Sequence, residues 1–234
     1  MSLEDQVKEL QQQVKDLGHE VGRLQDVNEV RHLQYKYGYY LDKCLYEEVV
    51  ELFAEDGEVR FMCGIYKGKE GVKRLYIGRF MTNFTGGKNG PVFGFLLDHP
   101  QLQMIVDVAP DRKTAKVRGR SMMAAGRHES TTEAQSVPRQ WWEGGIYENQ
   151  YVQEDGIWKI KVLNYRPFWH ADFDKGWAYT QPEYVPMADT TWPEDPNGPD
   201  ELIKPTPHLW PHTNVVPFHY PHPVTGEAWK GKDN

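Results

Sequence analysis

The feature that most restricts the fold of this chain is a run of long alternating segments in its second half. Phe95–Val108, Thr114–Gly126 and Gln140–Gln153 each read as a strand and Ile157–Arg166 as a fourth, with "PDRK" and "EDG" supplying turn chemistry. Long strands joined by such short turns pair antiparallel. With a further strand at Glu58–Met62 they make a curved, mostly antiparallel sheet, followed upstream by a helix expected over Lys69–Phe80. Helices on one face of such a sheet give an α+β cone with a central pocket.

The helical stretch Val30–Phe61 carries an out-of-place carboxylate. At helical spacing Tyr35, Gly38, Tyr39 and Asp42 share one face, so Asp42 sits among aromatic rings. A carboxylate there needs a partner or a raised pKa, which makes it a candidate acid or base. A cap for the short helix that follows, or a position facing water at a bend, accounts for it equally. His99 lies in the strand-like run "FLLDHPQLQMIVDV", where Pro100 biases it toward an extended backbone.

The order of tyrosine-rich helix with Asp42, short helix, strand "GEVRF", helix "GKEGVKRLYIGRF", strand with His99 and final hairpin "GGIYENQYVQEDGIWKIKVLNY" resembles the SnoaL-like branch of the nuclear transport factor 2-like superfamily. The resemblance spans Val27 to Arg166 and rests on the ordered set, since no one motif in it is specific. Within the superfamily the chain looks like the cofactor-free lyases: scytalone dehydratase, bile-acid dehydratase and hexachlorocyclohexane dehydrochlorinase. Those enzymes use an aspartate on the first helix and a histidine on a strand, and the two fall on Asp42 and His99. The resemblance thus implies an elimination without cofactor, of water or of a small aldehyde. In that scheme His99 moves the proton, Asp42 holds its imidazole, and Tyr35 and Tyr39 bind hydroxyl or phenol groups. The aromatic arm at the C-terminal end also resembles the diarylpropane lyases of lignin catabolism, which release formaldehyde from a diaryl diol. A polyketide cyclase or isomerase, a small subunit of a ring-hydroxylating dioxygenase and a pure binding module share the fold and remain alternatives.

Strand alternation supplies further pocket candidates. Arg120 shares a face with Lys116, Arg118 and Met122, and aimed inward it could orient an oxyanion. Trp142, Ile146 and Glu148 oppose Trp141, Glu143, Tyr147 and Asn149; Trp142 and Tyr147 are the lining candidates, with Phe61 at the end of the first strand. Asn164 shares a face with Trp158, Ile160 and Val162 and offers a hydrogen-bonding end. Some relatives place an arginine near this point, whereas here Leu163 and Asn164 occupy it, which leaves an electrostatic partner unassigned.

Both ends of the chain carry their own patterns. Leu3, Val7, Leu10, Val14, Leu17, Val21 and Leu24 repeat in steps of four and three, a heptad seam that predicts self-association as a dimer or trimer. Gly18 and Gly22 weaken that helix by about 1 kcal/mol each relative to alanine. From Phe168 onward the sequence is rich in Pro, Trp, Tyr and His, as in an extended arm anchored by Trp192, Trp210, Phe218 and Tyr220. The expected division is therefore 1–27 oligomerisation helix, 28–167 cone domain and 168–234 arm. Prolines among His208, His212, His219 and His222 argue against a metal site. A formal charge of −7 argues against a nucleic-acid partner. No apolar run is long enough to cross a bilayer and the first residues lack a signal-peptide pattern, so a cytoplasmic location is expected. Aromatic residues make up 13% of the chain, a density suited to a flat, ring-bearing ligand.

Overall fold

A computed structural model describes residues 1–131, 140–180, 187–204, 209–212 and 214–231. Helix α1 runs unbroken over Leu3–Asp42, opened by a capping box in which Ser2 and Asp5 satisfy each other's backbone donors. Its second half packs on the sheet because Val30, Leu33, Gln34, Tyr37 and Leu41 recur in steps of three and four. Its first half projects outward with the heptad residues exposed, from 45% at Val7 to 77% at Leu3. The short helix α2 (Tyr46–Glu51) leads into strand β1 (Phe53–Phe61), which turns back as β2 (Gly64–Lys67) where a loop is expected from sequence. Helix α3 (Gly68–Lys73) continues into a π-helical segment, Arg74–Met81, and ends in α4 (Thr82–Thr85).

The run expected as one strand over Phe95–Val108 is broken at His99–Pro100 into β3 (Phe95–Asp98) and β4 (Gln101–Val108), both paired with β5 (Thr114–Arg127). Proline lacks the N–H that an unbroken ladder would use. Strands β6 (Gln140–Glu154) and β7 (Ile157–Asp172) complete the body of the sheet. The two-residue β8 (Glu201–Leu202), from the arm, adds to the edge at β2. The order is β3-β5-β6-β7-β1-β2-β8, with β4 also on β5. Among the described strands only β1 and β7 run parallel; the other pairs are antiparallel. The sheet curves without closing and the helices cover its inner face, giving an α+β cone.

Two bulges in β7 reset which side chains face inward. Gln150 pairs Val162 while Tyr151 pairs Ile160, which leaves Lys161 as an extra residue; Gly145 pairs Pro167 while Gly144 pairs Trp169, which does the same for Phe168. The strand also extends past Arg166 to Asp172, because β6 is long enough for Trp141 to pair with Asp172.

The arm then runs along the sheet edge and the π-helical segment. Asp200 accepts from the Lys67 N–H at 2.7 Å and pairs with Arg74 at 2.6 Å, and Asp195 pairs with Arg79. Gly78 is required here, since a Cβ on it would fall 2.2 Å from the Asn197 side chain. The arm's aromatic anchors are less buried than expected. Trp192 is half exposed under the Arg74 guanidinium and Phe218 lies partly exposed beneath Arg118, while Gly198, Pro199 and Val216 are buried.

Candidate active site

The helices and the concave sheet face enclose a cavity of about 330 Å³. Five tyrosines line it: Tyr37 from α1, Tyr46 from α2, Tyr76 from the π-helical segment, Tyr147 from β6 and Tyr165 from β7. The π-helical geometry presents Leu75, Tyr76 and Phe80 together, a use to which such wide turns are often put at functional sites. Phe61 stacks on Tyr165 with ring centroids 6.2 Å apart and meets Phe80 edge-on at 5.4 Å. Tyr37 and Tyr76 share a hydrogen bond of 3.0 Å, and burial pushes the Tyr37 hydroxyl up to about 12.

His99 sits at the wall between β3 and α1, only 4% exposed. Its ring lies 5.6 Å from that of Tyr165 and 6.1 Å from that of Tyr147, and among the described residues neither ring nitrogen has a hydrogen-bond partner. Burial lowers its pKa to about 4, so the imidazole is neutral near pH 7 and able to accept a proton. Its backbone is held at the N–H by α1 and at the carbonyl by β4. Asp42 Oδ1 accepts from the His99 N–H at 2.8 Å, and the His99 carbonyl accepts from Gln101 Nε2 at 2.9 Å. Gln101 is in turn held by Gln34 Nε2 at 2.7 Å, while Gln34 Oε1 accepts from Asn149 and Tyr151. Gly38 admits this arrangement, because a Cβ there would lie 2.6 Å from Gln101 Cγ.

Asp42 therefore grips the main chain of His99, which corrects the expectation that it pairs with the imidazole. Burial raises its pKa, partly offset by the bond from the His99 N–H. Tyr35 and Tyr39 lie with Asp42 beside an outer groove, and Tyr39 is 74% exposed. The packed face of α1 is set by Leu33, Tyr37 and Leu41, and Tyr39 is two residues, about 200°, out of phase with Tyr37.

The inward face of β5 consists of Val117, Ser121 and Met123, so Arg120 points outward; its guanidinium lies over Phe168 at 5.5 Å. Trp142 is likewise on the outer face, stacked on Phe173, because its neighbours Trp141 and Glu143 face in. Asn164 is moved out of phase by the Lys161 bulge, which turns Leu163 and Tyr165 inward instead. Phe61, Tyr147 and His99 are the expected residues that do line the cavity.

A polar cluster farther along the same concave sheet face has no counterpart among the expected site residues. Glu143 is 4% exposed and accepts a hydrogen bond from Tyr165 Oη, which accepts from Ser121 Oγ at 3.2 Å. His170 Nε2 lies 3.4 Å from Glu143 Oε2 and its ring stacks on Trp141. Burial raises the Glu143 carboxyl to about 7, tempered by the Tyr165 bond, and burial lowers His170 to about 4. The legible signal for Glu143 was its place on the same strand face as Trp141 and Tyr147. His170 faces in only through the Phe168 bulge.

Among the described residues no three His, Cys, Asp or Glu side chains come together as a metal site, and no helix is long and apolar enough to cross a membrane. His219 is held between Glu148 and Asp107, His222 organises its own turn, and His208 lies outside the described residues.

The SnoaL-like domain profile matches residues 22–164. A candidate scytalone dehydratase from Novosphingobium aromaticivorans superposes with a TM-score of 0.50 at 23% identity, over 64% of this chain and 89% of that one. A LinA-type3 hexachlorocyclohexane dehydrochlorinase from Novosphingobium barchaimii gives 0.51 at 17% identity, over 65% and 92%. The LinA structure gives 0.52 at 16%, over 66% and 94%. At these identities the superpositions establish the fold. A search of curated protein sequences found no match.

Proposed function

The chain belongs to the SnoaL-like family, and on that premise we propose that it is a cofactor-independent lyase that eliminates water or formaldehyde from an aromatic, diaryl substrate of the kind lignin yields. The observation that carries this reading is His99: a buried, neutral imidazole with both nitrogens unpartnered among the described residues, facing a cavity lined by aromatic rings. A buried polar group without a partner is costly, so its retention at a cavity wall fits a group that meets a ligand. The cavity volume is at the small end of the range of about 300–1,000 Å³ usual for small-molecule sites. Two structural neighbours bear the names of a dehydratase and a dehydrochlorinase, both eliminations.

In this reading His99 takes the proton and Asp42 acts as a positioning residue, locking the His99 main chain. Tyr147, Phe61 and Tyr165, packed on one another, form an aromatic wall for the substrate rings. Proton transfer by one placed group contributes about 10²–10⁴ in rate, and orientation in a closed cavity adds to it. The test is a mass-spectrometric screen of wild type and His99→Ala against diaryl diols and hydroxylated polycyclic compounds, without added metal or nucleotide. Loss of water or formaldehyde by wild type alone is the expected result. A product of unchanged mass would favour a cyclase or isomerase, and ligand binding without turnover would favour a binding module.

The exposed heptad seam supports self-association through α1. Valine at one core position and leucine at the other suit a parallel pair, and the flanking Gln6, Gln11, Gln13 and Gln25 bring no like-charge repulsion. Light scattering on wild type and a Leu10→Asp, Leu17→Asp double variant tests this, with a smaller assembly expected for the variant.

A further inference from the structure

Resting on the reading of the cavity as an elimination site, we propose that Glu143, two strands along the same concave sheet face from the base His99, is the acid that gives a proton to the departing oxygen. The sheet register places the two groups in one transverse row. Asp98 pairs with Ala124, so His99 lies level with Met123; Met123 pairs with Glu143, and Glu143 with His170. All four side chains line the cavity. With strands about 4.8 Å apart, His99 and Glu143 stand roughly 10 Å apart at the backbone, and their side chains reach toward each other over a concave surface. A substrate lying between them would meet a base at one end and a carboxyl group at the other.

The local bonds suit a proton donor. Tyr165 Oη donates to Oε1, which leaves Oε2 to carry the carboxyl proton. Ser121 fixes Tyr165 from the other side at 3.2 Å. A purely structural buried carboxylate would need a cation beside it. Among the described residues the basic group beside it is His170 at 3.4 Å; burial lowers the His170 pKa to about 4 and raises the Glu143 carboxyl to about 7, both directions that favour the neutral forms.

The step balances. For loss of water, His99 takes the proton from carbon, the C–H electron pair becomes the new C=C bond, the C–O bond breaks, and its oxygen leaves as water with the Glu143 proton. For a diaryl propanediol, His99 takes the proton of the terminal hydroxyl, the C–C bond breaks to release formaldehyde, and its electrons form the stilbene double bond as the second hydroxyl departs with the Glu143 proton. In both, the imidazolium proton returns to the carboxylate through solvent after product release.

The leaving group is what separates this role from a structural one, because hydroxide needs a proton to depart and chloride does not. We would compare wild type, Glu143→Gln, Glu143→Asp and His99→Ala on diaryl ethanols and the matching chlorides, reading stilbene absorbance. The expected result is that E143Q loses about 10²–10⁴ in rate on the alcohols and stays within a few-fold of wild type on the chlorides, with E143D partly restored and H99A slow on both. Full activity of E143Q on alcohols would overturn the assignment, as would an equal loss on both substrate classes in a variant that melts like wild type. An infrared carboxylic-acid band at neutral pH that E143Q lacks checks the protonation state without turnover, and its absence from wild type would also overturn the proposal. Wild type inert toward both classes would instead sink the elimination reading, and the acid role with it.

Discussion

On the outer face of the sheet, Arg118 pairs with Glu148 and donates to the carbonyls of Val216 and Pro217, while His219 bridges Glu148 and Asp107 at 2.9 Å each. On the inner face of the same strands, His99 has no partner at either ring nitrogen among the described residues, and Glu143 is flanked by Tyr165 and the His170 imidazole. The outer set, with Asp107 exposed, is mutually compensated and pins the arm. In the inner set burial moves the pKa values of His99 and Glu143 toward their neutral forms. Networks of the first kind hold structure together, whereas pKa values pushed away from their ordinary range inside a cavity mark chemistry.

The largest expected effect breaks the comparison at its sharpest point. His99→Ala should reduce elimination by about 10²–10⁴ while leaving the fold intact, because no hydrogen bond of the ring is lost. Steady-state turnover beside a melting curve checks both halves. The next effect is on stability against pH. His99 has a folded pKa of about 4, below the ordinary 6.5, so between those values the unfolded chain binds more protons and stability rises with pH. The contribution is complete above about pH 6.5 and lost as pH falls toward 4, on the order of 3 kcal/mol. His99→Gln should flatten that limb in denaturant titrations. Glu143 acts in the opposite sense. Its folded value of about 7 lies above the ordinary carboxyl range, so its contribution is present at low pH and declines as pH rises through 7.

Asp42 gives a finer discrimination. If it serves through the hydrogen bond to the His99 N–H, Asp42→Asn keeps an acceptor and should stay within a few-fold of wild-type turnover, while Asp42→Ala should lose roughly tenfold, about 1.4 kcal/mol. Equal, severe losses in both variants would show that the charge matters and return Asp42 to a direct role beside the imidazole.

These distinctions were partly legible in the sequence. Strand lengths, turn chemistry and the ordered elements sufficed for the cone, and His99, Tyr147 and Phe61 line the cavity as alternation and resemblance imply. The α1 residues were misphased because tyrosines recur at 35, 37, 39 and 40, and polarity alone does not say which of them packs; Leu33 and Leu41 select Tyr37. Alternation also failed along β7, where each bulge shifts the period by one, turning Asn164 out and His170 in. Bulges depend on cross-strand register, which a single strand's sequence does not contain. The outward turn of Arg120 was undetermined for a similar reason: both faces of β5 carry plausible sets until the burial of Ser121 and the position of Met123 decide between them.

The smallest expected effect tests the outer face. Burial alone would lower the His219 pKa, but the hydrogen bonds and charges of Glu148 and Asp107 outweigh it and raise the folded value above the ordinary 6.5. The folded protein therefore holds this proton more tightly than the unfolded chain. Its stabilisation is full below about pH 6.5 and lost as pH rises through the raised value, the reverse of His99. Because His219 bridges to residues on β4 and β6, the loss should be felt first where the arm lies on the sheet. Hydrogen exchange of Asn214–Tyr220 should accelerate as pH climbs past that value, after correction for the intrinsic pH dependence of exchange, and His219→Gln should show the faster rate at every pH. Turnover in the cavity should be unchanged, since none of these groups faces it. An arm released together with a loss of activity would join the two faces into one system and remove the distinction drawn between them.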